Sequence, residues 1–321
     1  MIDPGTLRID PDRFWATVER SAEIGIGRPG GLSRLALSDA DRAMRDLFVT
    51  WCREAGLQVS VDRVGSIFAR RAGREDHLPP VLVGSHLDTQ VNGGRFDGVL
   101  GVMAALEVVR RLQDIGHVTR RPIEVVVWTN EEGARFLPAM VASGAFVGAY
   151  EVAWVHDRRA DDGATFGAEL ARIGYLGDAP VGGRTPDSYF ELHIEQGPIL
   201  DAARVPVGVV THGFPVRGFL VEAAGETAHT GPWPMEKRRN ALVGVARLAA
   251  AVDDIGWAHA ATGGKATAAR LVASPNKPGI LSEWAQLVCD VRHEDEAVAE
   301  DMAEAVLQAV EACARKAQVE M

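Results

Sequence analysis

Cysteine is scarce in this chain of 321 residues: Cys52, Cys289 and Cys313, odd in number and far apart. No two of them form a CxxC pair, which excludes a disulfide framework and a cysteine-rich zinc module. Basic charge is in deficit, with 34 Lys+Arg against 44 Asp+Glu and a formal net charge of −10. Such a surface repels phosphate backbones and anionic lipid, so neither nucleic acid nor membrane is expected as a partner. No apolar run approaches the ~20 residues that span a bilayer. The start, MIDPGTLRIDPDRF, has no basic stretch leading into an apolar one, so no secretion signal is read and a cytoplasmic location is expected. The P-loop and the GxSxG elbow are both missing, which removes the usual NTPase and serine-hydrolase readings. What the chain does have is 47% apolar residues, ample for a core and for one large domain or two moderate ones.

The first 150 residues alternate helical and strand patterns. Ser38 or Asp39 can cap a helix with Met44, Leu47, Phe48 and Trp51 at helical spacing, ended by Gly56. Short β-rich runs follow at 57–61 and 66–70, then another from Pro80 to His86. Residues 97–116 predict a helix burying Leu100, Met103, Leu106 and Val109. The run from Ile123 to Trp128 is almost continuously β-branched, as in a strand covered on both faces. These elements predict an α/β layer architecture with a largely parallel mixed sheet. The pattern changes near Gly213. Strands are predicted over 216–223, 266–273 and 281–291, with helices over 234–255 (Pro234 in its first turn) and 294–316. That β-α-β-β-α order, with one more strand expected, is the split, ferredoxin-like pattern, and it predicts a first domain over 1–211 and a second over 212–321.

Three segments concentrate polar residues where strands end. In GSHLDTQVNGGRFDG, residues 84–98, His86 and Asp88 stand two apart, on one face if the strand continues. A carboxylate beside an imidazole can fix its tautomer and aim it at a metal. The bland alternative makes His86 a satisfied strand-end histidine and Asp97 a helix N-cap. In WTNEEG, Glu131 and Glu132 are adjacent carboxylates that a cation would reconcile, one as ligand and one as proton carrier; otherwise they are an ordinary surface pair. In YFELHIEQGP, Glu191, His193 and Glu195 alternate on one face of an apparent strand, which is either a site or a solvated edge. Ends of parallel strands gather at one sheet edge. There, two His, an Asp and Glu residues would make a mixed N/O ligand set suited to Zn²⁺, Mn²⁺ or similar ions.

The segments GSHLDTQVNGGRFDGVLGV, VVWTNEEGARF, ELHIEQGP and GETAHTGPWPMEKRRNA together resemble the family of N-carbamoyl-L-amino-acid hydrolases, β-ureidopropionases and allantoate amidohydrolases. This is the amidase branch of the dinuclear-zinc aminoacylase and carboxypeptidase superfamily. The resemblance covers essentially the whole chain. It implies a zinc-exopeptidase-like catalytic domain and a ferredoxin-like α+β dimerisation or lid domain. It further implies two divalent ions, Zn²⁺ or Mn²⁺ with Co²⁺ or Ni²⁺ as further candidates, and a homodimer acting on a small carbamoyl or ureido acid. His86 and His193 then match the ligands of one metal, Asp97 the bridging carboxylate and Glu132 a ligand of the second. Glu131 matches the general base and Asp88 the carboxylate orienting the first histidine. Gln196 matches a polar contact near the substrate, and Asn276 and Arg292 the groups that bind its carboxylate. His229 matches a histidine given by the partner subunit to the oxyanion.

Members of the family continue into a returning segment with a fifth ligand, a histidine, whereas no histidine follows His293 here. The expectation is a first metal site complete in protein ligands and a second with Asp97 and Glu132 only. The leading function is therefore a metal-dependent amidohydrolase releasing an amino acid, ammonia and CO₂ from an N-carbamoyl amino acid. The alternatives are a truncated, catalytically impaired scaffold that binds metal or ligand, and a metallopeptidase of the same superfamily. Gln90 and GARFLPAM lean toward the β-ureidopropionase-like members.

Overall fold

Asp10 accepts from the Arg13 amide and Pro11 fixes the first helical φ, so helix α1 (Pro11–Ala22) starts where those residues dictate. Ser38 caps α2 (Asp39–Glu54) in the same way. The computed structural model describes residues 7–321; residues 1–6, part of the start read for a secretion signal, lie outside the described residues. The described chain forms two compact units, up to Arg204 and from Val205.

In the first unit, β1 (Gln58–Val61), β2 (Ile67–Arg71), β3 (Val81–His86), α3 (Val99–Asp114) and β4 (Ile123–Trp128) follow α2 in turn. After them come α4 (Val141–Phe146), α5 (Val152–His156), α6 (Phe166–Ile173), β5 (Ser188–Phe190) and α7 (Ile199–Ala203). The sheet order is β1-β2-β4-β3-β5. β3 runs parallel to β4 and β5, while β1–β2 and β2–β4 are antiparallel. The sheet is thus evenly mixed rather than largely parallel. All six residues of β4 are buried, and Glu124 among them is neutralised by Arg70 and Arg184. α3 packs on β3 and joins α1, α2 and α6 around one core that includes Phe48, Met44, Val102, Leu106 and Val127.

The register places the site. His86 on β3 pairs with Trp128 on β4, and Val83 pairs with Phe190 on β5. The chain therefore leaves all three parallel strands at one edge, into residues 87–97, 129–136 and 191–196. A GxGxxG string, residues 25–30, occupies the irregular stretch after α1; it follows no strand and opens no helix, so it lacks the context of a dinucleotide site.

The second unit comprises β6 (Val216–Ala224), α8 (Ala241–His259), β7 (Lys265–Ser274), β8 (Trp284–Arg292) and α9 (Glu296–Ala317), and its three strands form an antiparallel sheet. Its order is β6-β8-β7. α8 and α9 pack together and on the sheet, closing a core of Leu248, Leu287, Met302 and Val306. Glu320 makes an isolated antiparallel bridge to Ala224, on the edge of β6 opposite β8. Pro234 does not lie in the first turn of α8: it precedes a short 3₁₀ turn, Met235–Lys237, and the helix begins only after Asn240. Among the described residues, no helix is long and apolar enough to cross a membrane.

Candidate metal centre

His86 ends β3 with only 2% of its surface exposed. Its Nδ1 lies 2.8 Å from the Asp88 carbonyl oxygen, so Nδ1 carries the proton and donates it there. Nε2 is left with its lone pair. His193 repeats the device, donating from Nδ1 to the Ile194 carbonyl at 2.9 Å. Such a bond fixes the tautomer that offers Nε2 to a cation. The two rings stand 6.0 Å apart, and His193 Nε2 is 3.3 Å from Asp97 Oδ1. One donor atom from each of His86, Asp97 and His193 lies within 4.8 Å of the others. Asp97 Oδ1 is buried and accepts no hydrogen bond, which in a carboxylate is costly unless a cation supplies the partner. Two imidazole nitrogens and a carboxylate oxygen suit a borderline divalent ion.

Asp97 is not a helix N-cap. Gly98 holds that position, with no side-chain cap, and α3 starts at Val99. Gly98 has φ +67°, and a Cβ there would stand 2.4 Å from the His86 ring. The glycine is required both by backbone sign and by space.

Asp88 also differs from expectation. β3 ends at His86, so the two do not share a strand face; the Asp88 carboxylate is 4.0 Å from Nδ1, and its carbonyl takes the histidine proton instead. The carboxylate accepts the backbone amides of Glu131 and Glu132, at 3.3 and 3.2 Å. It thereby ties the loop after β3 to the loop after β4. Burial pushes the Asp88 carboxyl up to about 6, against the attraction of His86.

Glu131 points its Oε2 to within 3.5 Å of His86 Nε2. Burial raises its pKa, with Asp88, Glu132 and Glu191 adding to the rise and His86 opposing it. For His86 burial acts downward, but the charges of Asp88, Glu131 and Glu132 and the bond to the Asp88 carbonyl together outweigh it, and the net direction is up. Glu132 is held by Gln90, whose amide donates to Oε2 at 3.0 Å, while Glu132 Oε1 is buried without a hydrogen-bond partner. Glu132 stands outside the His86–Asp97–His193 cluster.

The segment after β5 is irregular rather than a strand from Glu191 to Glu195, and its three ionisable residues part company. His193 joins the cluster. Glu191 accepts from Ser85 Oγ and from Tyr189, whose hydroxyl also accepts from Trp128 Nε1 at 3.1 Å. Glu195 accepts the Ile199 and Leu200 amides, both at 2.9 Å, at the start of α7. Gln196 donates to Asp97 Oδ2 at 2.7 Å.

His229, Asn276 and Arg292 belong to the second unit. His229 is exposed and its Nδ1 accepts the Gly231 amide at 3.0 Å. Asn276 is exposed, just after the cis Ser274–Pro275 bond. Arg292 forks onto Asp290, two residues back on β8, through Nε at 2.7 Å and Nη2 at 3.2 Å. Sequence reasoning passed over Ser85, Tyr189 and Gly98. The one available signal was the glycine directly after Asp97.

Residues 82–321 match the model of the peptidase family M20/M25/M40. An N-carbamoyl-L-amino-acid amidohydrolase of Rhizobium meliloti is 44% identical over 305 residues, covering 94% of this chain and 73% of that one. A second so named, from Geobacillus stearothermophilus, is 36% identical over 88% of this chain and 70% of its own. The crystal structure of an amidase of the hydantoinase/carbamoylase family from Burkholderia vietnamiensis superposes with a TM-score of 0.96. It is 46% identical, over 99% of this chain and 77% of that one. With a family model spanning most of its length and these relatives aligned along nearly all of it, the chain belongs to the peptidase family M20/M25/M40, a hydrolase family, on its amidohydrolase branch.

Proposed function

We propose that this chain is a metal-dependent amidohydrolase that splits an N-carbamoyl amino acid, or a related ureido acid, to the amino acid, ammonia and CO₂. The observation that carries the reading is the buried, unpartnered Asp97 Oδ1 lying between two histidines whose Nε2 atoms are freed toward it, with Glu131 beside them. His86, Asp97 and His193 would hold one divalent ion, and Asp97 with Glu132 a second. When bound, such ions polarise the carbamoyl carbonyl and make water a nucleophile near neutral pH.

The remaining chemistry falls to the chain's own side chains. Glu131 takes a proton from the attacking water as its oxygen adds to the carbamoyl carbon. It then returns that proton to the amino nitrogen as the C–N bond breaks. The carbamate so released decomposes to ammonia and CO₂. The raised pKa of Glu131 suits a group that must both accept and give a proton. Asp88 keeps Glu131 and Glu132 in place through their backbone amides. Gln196, held at Asp97, is a polar contact for the substrate.

Homodimerisation through the second unit is part of the proposal, with His229 given to the partner's site to offset charge on the carbonyl oxygen. Asn276 and Arg292 would bind the substrate carboxylate, Arg292 by exchanging Asp290 for a bidentate carboxylate. Three free cysteines fit a reducing, cytoplasmic setting.

The test pairs metal content with ammonia release from N-carbamoyl-β-alanine and N-carbamoyl-L-methionine. Turnover that chelator removes and Zn²⁺ or Mn²⁺ restores supports the reading; a metal-loaded protein that releases no ammonia from either rejects it. The family model's peptidase name favours a second reading, a metallopeptidase, and faster hydrolysis of a dipeptide than of either carbamoyl acid would establish that instead.

A further inference from the structure

Four charged side chains lie under the metal centre with almost no solvent exposure: Arg34, Asp41 and Arg45 at 0% and Asp88 at 1%. Arg34 donates from Nε to the Leu87 carbonyl at 2.7 Å and from Nη1 to the Ser21 and Ile24 carbonyls, each at 3.0 Å. Its own backbone exchanges two bonds with Thr89: N–H to Oγ1 and Thr89 N–H to the Arg34 carbonyl, both at 2.9 Å. Arg34 thus fixes residues 87 and 89 on either side of Asp88, whose carbonyl sets the His86 tautomer. Arg45 does the same for the loop after β4. It donates from Nε to Asp41 Oδ2 and from Nη1 to the Gly65 carbonyl, both at 2.8 Å, and from Nη2 to Thr129 Oγ1 at 3.1 Å. Asp88 then joins the two loops through the amides of Glu131 and Glu132. Burial draws the Arg34 pKa down to about 10, against Asp41 and Asp88, so the guanidinium remains charged at neutral pH.

As a device for stability alone this arrangement is a poor choice. Buried ion clusters seldom outperform apolar packing of the same volume. Here Arg34 Nη2 and Asp41 Oδ1 are buried with no hydrogen-bond partner, an added cost. What the two arginines gain, and apolar side chains could not, is a fixed position for the Leu87 carbonyl after β3 and the Thr129 hydroxyl after β4, tied to the Ser21, Ile24 and Gly65 carbonyls of the surrounding chain.

We infer that Arg34 and Arg45 are positioning residues that hold the loops after β3 and β4 in their metal-ready arrangement before any ion binds. The inference rests on the reading of His86, Asp97 and His193 as metal ligands, and the test separates the two. Apo protein of the full chain is titrated with Zn²⁺ in competition with a chromogenic chelator, and the visible spectrum of the Co²⁺-substituted form is recorded. Arg34→Met is expected to bind Zn²⁺ at least tenfold more weakly and to shift the Co²⁺ bands. Val155→Ala, a cavity in the same unit's core at a residue of α5 that belongs to neither loop, is expected to leave both unchanged even though it lowers the melting temperature. If Arg34→Met does not fold, Thr89→Val decides in its place, since it removes the hydroxyl that holds the Arg34 amide. Wild-type affinity and spectrum in the deciding variant, or an equal loss in Val155→Ala, would overturn the inference and leave the metal reading standing. A wild-type chain that takes up no Zn²⁺ would overturn the metal reading itself, and this inference with it.

Discussion

Glu131 is the residue on which the proposed chemistry turns, because its carboxylate lies 3.5 Å from His86 Nε2, the nitrogen left free for a cation, with a pKa raised by burial and neighbouring carboxylates. General acid–base catalysis contributes roughly 10²–10⁴-fold in rate. Glu131→Gln is therefore expected to lower kcat by about that factor while Zn²⁺ stoichiometry stays at the wild-type value. A variant that loses its metal and its activity together would make Glu131 a ligand instead. A second residue, outside the His86–Asp97–His193 cluster, gives a pH prediction. Asp62 is fully buried, its Oδ1 accepting the Val64 and Ser66 amides at 3.0 and 2.8 Å, and burial pushes its pKa up to about 6. The folded form then holds the proton more tightly than the unfolded form, so this group's contribution is complete below its ordinary pKa of 3.8 and is lost as pH rises through 6. Asp62→Asn keeps the acceptor and removes the charge. It should be about 1–2 kcal/mol more stable than wild type at pH 7.5 and no more stable at pH 4. Urea midpoints at the two pH values check this, and a difference independent of pH would refute it. At this scale the sequence disclosed His86 and His193 because histidine is an unusual residue type at or just past a strand end, and Asp97 because it lies in the segment carrying the family resemblance. It concealed Arg34 and Arg45, since arginine is almost never fully buried and nothing local marks the exception.

β4 was readable because six buried positions in a row leave a β-branched run no other use, and α3 because its apolar residues repeat at three and four. β5 was not. Its alternation of Glu191, His193 and Glu195 imitates a strand, yet pairing with β3 ends at Phe190. Beyond that point the backbone follows α3. Gly101 makes this possible: a Cβ there would stand 2.4 Å from the Leu192 carbonyl oxygen and 3.0 Å from Ser85 Cβ. Helix α3 cannot yield, since its other side is packed in the core through Val102 and Leu106. Gly101→Ala should therefore push residues 192 and 193 outward, cost about 1–3 kcal/mol of stability and weaken Zn²⁺ binding through His193. Gly218→Ala on β6, where a Cβ meets nothing within 4 Å, is the matched control and should change neither. Unaltered Zn²⁺ affinity in Gly101→Ala would mean that α3 does not set the position of His193. The misplaced start of α8 has a similar local cause. Pro234 suits a first helical turn by type, but here it opens a separate 3₁₀ turn, and the chain regains helical geometry only after Asn240.

The two units have separate cores. The buried residues of one run from Phe14 to Tyr175 and those of the other from Val221 to Val319. All three residues of the candidate metal cluster come from the first. A ligand stabilises only the folded form that binds it, by about 2.7 kcal/mol when present at a hundredfold excess over its Kd. Calorimetry of the full chain should accordingly resolve two transitions, of which Zn²⁺ raises one. The converse perturbation identifies the other. Val306 is fully buried between α9 and the second sheet, and Val306→Ala removes two methyl groups there at a cost of about 2 kcal/mol. That variant should lower the transition that Zn²⁺ leaves in place, and Zn²⁺ should still raise the remaining one by its wild-type amount. A single transition moved by both treatments would contradict this, because it would require the free energy of metal binding to reach a core that shares none of its buried residues with the one around the site.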